Sequence, residues 1–139
     1  MKGRVFVAGH IRNGHFKDRR CNTLRRMEDI KKSLERSGYE AIIEVDVPYL
    51  DLGEETERII ENVNKEPDVV IGIMLLENKI WHLTNCHMLL LLPNWKDSYD
   101  CKVLHTVAQK LGILICIDIG EATSLDNEDE LAGWFEKQI

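Results

Sequence analysis

Two short segments of this 139-residue chain carry residue types that can do chemistry at close range. The first is Gly9-His10-Ile11-Arg12-Asn13-Gly14. Its two glycines would let backbone approach a ligand closely, and Arg12 offers a planar fork for phosphate or carboxylate. The same residues would equally serve an ordinary polar connection with Arg12 solvated, since the pattern is neither a Walker loop nor a dinucleotide fingerprint. The second segment is Asn94-Trp95-Lys96-Asp97-Ser98, with Asp100 two residues on. Ser98 is a natural helix cap, and the helix start behind it favours an anion. Trp95 either stacks on a base or caps the core. His82 and His87 lie five apart, share no helix face and show no metal spacing. No Cys–His or Ser–His–Asp arrangement can be read from spacing, and no metal or organic cofactor is expected.

Both segments follow apolar runs that read as buried strands. Arg4–Ala8 ends at Gly9, and His87–Leu92 ends at Pro93. Between them, Leu24, Met27, Ile30 and Leu34 recur at helical spacing, Arg25 and Asp29 form an i,i+4 pair, and Gly38 closes the helix. Glu40–Val47, flanked by Gly38 and Pro48, reads as a second strand. Glu54–Val63 reads as an exposed helix ended by Pro67, and Ile80–Asn85 as helix. Val69–Met74 stays open between a fifth strand and the start of a buried helix, because a short apolar run has no diagnostic period. Ser98–Leu111 is a helix terminated by Gly112, Ile113–Ile119 a strand, and Asp126–Lys137 a closing helix with an acidic first turn. Strands alternating with helices imply an α/β domain. The expected fold is a Rossmann-like or flavodoxin-like three-layer sandwich over a four- or five-stranded parallel sheet. In such sheets small molecules bind at the carboxyl ends of the strands, where both segments fall.

One domain spanning 1–139 is all the length allows. A formal charge of −6 argues against a dedicated nucleic-acid binder, although Lys17, Arg19, Arg20, Arg25 and Arg26 cluster locally. Cys21, Cys86, Cys101 and Cys116 have no paired spacing and no signal peptide precedes them, so reduced thiols and a cytoplasmic location are expected. No apolar run reaches the roughly 18 residues needed to span a bilayer, so no membrane association is expected.

Phe6-Val-Ala-Gly-His-Ile-Arg-Asn-Gly14, the apolar strand to Leu92, Pro93-Asn-Trp95, Ser98 and the helix to Leu111-Gly112 resemble the nucleoside 2-deoxyribosyltransferase-like superfamily. Two of its branches look closest. One is the deoxynucleoside 5′-monophosphate N-glycosidases, and the other a group of small bacterial and phage domains ending a strand in Leu-Pro-Gly-Trp. The match covers nearly the whole chain in element order, but residues 48–75 have no clear counterpart. It implies a nucleotide-derived small molecule as partner, and a homo-oligomer whose neighbouring subunit completes the pocket. Phosphate would sit against the first loop and the Ser98 helix start, with sugar and base between Gly9–Arg12 and Trp95.

The resemblance also implies two carboxylates for glycosidic-bond cleavage, a Glu nucleophile and an Asp. Counting along the family pattern places them at Leu104 and near Lys79, and neither residue can serve. The family glycines fall on Asn94 and Asp100. Asp100 lies one helical turn before Leu104 and is the remaining candidate catalytic carboxylate. The resulting expectation is a protein that senses or sequesters a nucleotide-derived molecule in a degenerate pocket. Its ligand-binding residues would be Gly9, His10, Ile11, Arg12, Asn13, Gly14, Asn94, Trp95, Ser98 and Asp100. The alternative is a nucleoside or nucleotide N-glycosidase or deoxyribosyltransferase using Asp100, and a third reading is a partner domain with a vestigial pocket.

Overall fold

The computed structural model of the chain describes residues 2–10, 22–44, 67–118 and 128–138. Four strands form one parallel sheet: β1 (Arg4–Ala8), β2 (Glu40–Ile43), β3 (Met88–Leu91) and β4 (Leu114–Ile117), in the order β2-β1-β3-β4. Phe6 stands opposite both Ile42 and Leu89, and Leu89 opposite Ile115, so one row of side chains crosses the whole sheet. The helices are α1 (Asn22–Arg36), α2 (Pro67–Thr84), α3 (Tyr99–Leu111) and α4 (Glu128–Gln138).

Alternation along the strands divides the interior in two. Val5 and Val7 point to one face, where Leu24, Met27, Ile30 and Leu34 of α1 and Phe135 of α4 cover them. Phe6 and Ala8 point to the other, under Leu83 of α2 and Cys101, Leu104 and Ala108 of α3. The architecture is therefore a three-layer α/β sandwich of the Rossmann-like or flavodoxin-like kind. Each fully buried aliphatic side chain contributes about 1.5–3 kcal/mol, and this burial holds the layers together. Among the described residues no helix is long and apolar enough to cross a membrane.

Most elements match their sequence patterns, with shorter strands at β2, β3 and β4. The apolar run after Pro67 is helix, which settles Val69–Met74. Pro67 opens α2, where a proline at the first helical position loses no hydrogen bond. The expected helix over Glu54–Val63 lies outside the described residues. On α1 the i,i+4 ion pair is Lys31–Glu35 at 3.9 Å, not Arg25–Asp29. The start of β1 is fastened by ladder and side chain together. Arg4 N–H donates to His87 Nδ1 at 2.9 Å, and Arg4 Nε donates to Glu40 at 3.1 Å.

The chain passes from β1 to β2 on one side, then crosses back to β3 on the other. The order of strands thus reverses between β1 and β3. At such a switch point the connections diverge and leave a crevice outside the carboxyl ends of the strands.

Candidate functional site

At that end of the sheet three charged side chains meet from three elements. Glu44 leaves the end of β2 and is buried, its side chain 7 % exposed. Its Oε2 accepts the Gly9 N–H at 3.3 Å and the Cys101 thiol at 3.8 Å. Its Oε1 accepts Lys79 Nζ from α2 at 3.0 Å. The same ammonium donates to Asp100 Oδ2, in the first turn of α3, at 2.8 Å. Lys79 thus bridges two carboxylates. Burial alone would lower the Lys79 pKa. The Glu44 charge and the hydrogen bond and charge of Asp100 outweigh it, so the ammonium is held above its ordinary value of 10.5.

The start of α3 is built by its own residues. Ser98 is extended (φ −102°, ψ 122°), and its Oγ accepts the Cys101 N–H at 3.2 Å, a standard side-chain cap. Asp100 adds a carboxylate to the positive end of the helix. Before it, Asn94 sits in the left-handed region at φ 68°. This explains why a glycine would suit that position, and asparagine is among the few side chains that tolerate it.

Trp95 packs on the core beneath α3 and α2, and its indole stacks on His105 with ring centroids 4.8 Å apart. Lys96 Nζ lies 5.7 Å from the same ring. Beside them is an open depression of about 560 Å³ lined by Pro93, Asn94, Trp95, Lys96, His105, Ile117 and the buried Asp118.

The expected site residues therefore fall in two places. Asn94 and Trp95 line the depression, whereas Gly9 and Asp100 belong to the lysine-bridged cluster and Ser98 caps the helix beside it. His10 follows Gly9 and is half-buried. Ile11, Arg12, Asn13 and Gly14 lie outside the described residues.

Gly9 has a reason internal to the fold as well. A Cβ there would lie 3.1 Å from Leu92 Cβ and 3.1 Å from Met27 Cε, so the glycine admits the protein's own core. Gly9→Ala should cost about 1–3 kcal/mol by overpacking, read as a lowered urea midpoint. Leu104, where the family pattern would set a nucleophile, is fully buried among Phe6, Leu83 and Ala108 and presents nothing to a ligand.

Glu44 is the residue that sequence reasoning missed. It was hidden in the apolar run Glu40–Val47, although an acidic residue at the carboxyl end of a buried strand is itself a signal. Lys79 was singled out only as a departure from the family pattern. Its partners lie 35 and 21 residues away, beyond any local spacing rule.

Among the described residues Cys86, Cys101 and Cys116 are free and buried. Cys101 is pushed up to about 12, first by burial and then by the Glu44 charge. Burial also raises Cys86 and Cys116 to about 11. In the native protein a thiol reagent at neutral pH should therefore leave these three untouched and modify them only after denaturation, as counted by mass spectrometry. Among the described residues no group of three or more His, Cys, Asp or Glu side chains is placed to hold a metal ion.

Fold and site together define the class: a parallel α/β sandwich with a charged cluster at its switch point. Comparison with protein-family models, with curated proteins and with solved structures found no match.

Proposed function

We propose that this chain binds a nucleotide-derived small molecule at the carboxyl end of its sheet and holds it without cleaving it, as a sensor or a sequestering protein. The observation that carries this reading is the double ion pair of Lys79. One oxygen of Asp100 is committed to the ammonium at 2.8 Å, and Glu44 is spent on Lys79, Gly9 and Cys101. A carboxylate tied in this way is a poor nucleophile but a good fixed acceptor. The strand order reverses between β1 and β3, the position at which parallel sheets commonly bind small molecules, and Trp95 lines an open depression. A protein that broke its ligand could not store it, so storage fits a site without a free attacking group. Native mass spectrometry of protein purified from cells should show a bound small molecule. An empty protein that also ignores a panel of nucleosides, nucleotides and ADP-ribose would end this reading.

A second reading has one observation in its favour. Two carboxylates do converge on Lys79, Glu44 and Asp100, although from positions other than those the family pattern implies. An N-glycosidase or deoxyribosyltransferase would then use Asp100. Incubation with deoxynucleosides and deoxynucleotides, followed by chromatography for free base, decides between the two. Release of base that Asp100→Asn abolishes would favour the enzyme.

A further inference from the structure

α2 is more apolar than the other described helices, and its apolar residues do not keep to one face. Leu83 points into the core, and Lys79 turns to Glu44 and Asp100. On the outer side, Ile73, Glu77 and Trp81 recur at i, i+4 and i+8 and so form one stripe. Ile73 is 61 % exposed and Trp81 63 %, with Glu77 exposed between them and Ile80 half-buried alongside. A surface helix keeps its large apolar residues for the core, and exposed ones aligned in a stripe mark an interaction surface.

Glu77 decides what that surface can meet. Helical side chains lean towards the amino end, so the Trp81 indole covers the turn that carries Glu77. Among the described residues the Glu77 carboxylate has no ion pair or hydrogen bond, and the Trp81 ring has no aromatic or cationic contact. A carboxylate beside an exposed indole suits a guanidinium, which takes charge from one and a flat surface from the other. A second copy of the chain does not fit. A twofold packing of the stripe on itself, with Ile73 against Trp81, would set Glu77 against its own copy, like charge on like.

We propose that the outer face of α2 docks a partner helix carrying an arginine with apolar residues a turn to either side. The arginine lies between Glu77 and Trp81, and its apolar neighbours pack on Ile73 and Ile80. The chain's net charge of −6 favours the approach of such a basic partner. This surface is separate from the small-molecule reading above and stands without it.

Fluorescence anisotropy tests this on the full chain, with a labelled, capped helical peptide holding one arginine between leucines a turn away. That peptide should bind about tenfold more tightly than its glutamine counterpart, because each exposed contact of the guanidinium is worth a few-fold. Raising the ionic strength should shrink the preference. In Glu77→Gln the preference should fall to a few-fold, and in Trp81→Ala every peptide should bind more weakly. Both side chains are exposed, so both variants should keep the urea midpoint of the parent. The arginine-to-glutamine ratio of the unaltered protein needs neither variant. Arginine and glutamine peptides bound alike, or neither bound, would overturn the proposal. A dimer in sedimentation that Trp81→Ala dissociates would give the face to a second copy and overturn it too.

Discussion

Lys79→Met is expected to lower the stability of the protein by about 3–5 kcal/mol, the usual cost of stripping one partner from a buried ion pair. The loss comes from what remains. Glu44 would keep its Gly9 and Cys101 hydrogen bonds but lose the ammonium that offsets its burial. Asp100, being partly exposed, can regain water and should contribute little to the loss. The double variant Lys79→Met, Glu44→Gln should therefore recover much of the stability, whereas Lys79→Met, Asp100→Asn should not. Urea unfolding of the four proteins measures this. A single variant as stable as the parent would mean that the pair is already screened by water.

The pH dependence of that gap follows from the raised Lys79 pKa. A group whose folded pKa lies above its unfolded value contributes fully below the unfolded value and loses its contribution as pH rises through the folded one. The unfolded value is the ordinary 10.5. The difference between parent and Lys79→Met should hold across neutral pH and narrow only in alkaline solution above that value. A gap that closed below pH 9 or so would contradict the assignment.

The second large effect is expected at Leu104. A reader guided by the family pattern would write Leu104→Glu to restore a nucleophile. Its side chain, however, is 0 % exposed and packed among Phe6, Leu83, Leu91 and Ala108. A carboxylate there would be buried in apolar surroundings, costing roughly 3 kcal/mol or more whether it ionises or takes up a proton. Since small domains have only about 5–15 kcal/mol in hand, the variant should melt far below the parent or fail to accumulate. It should also release no base from deoxynucleosides. A well-folded Leu104→Glu protein with glycosidase activity would show that this position reaches the crevice after all.

These two residues also show what a sequence discloses. Strand and helix positions were readable wherever period and punctuation agreed: Arg4–Ala8 before Gly9, the Leu24–Leu34 stripe before Gly38, and Ser98 to Gly112 as cap and stop. Legibility failed at Pro67, which can close one helix or open the next, and the apolar residues after it have no polar face to set a phase. At the site, Ser98 was visible because a cap is local, and Asp100 because it stands one helical turn before Leu104. Glu44 and Lys79 were not, since their meaning is a contact between distant segments. The packing role of Gly9 was not visible, because a glycine that admits a ligand and one that admits Leu92 and Met27 look alike in one dimension.

The separation of the interior by the sheet has a consequence for how variants combine. Leu34 and Leu83 lie in different cores and share no neighbours, so their effects should simply add. Met27 and Glu44 are another matter. Gly9 lies within contact of Met27 on the α1 side and donates its N–H to Glu44, which reaches α2 and α3. Changes at Met27 and Glu44 should be non-additive, so that the backbone of a single glycine couples the two halves of the molecule.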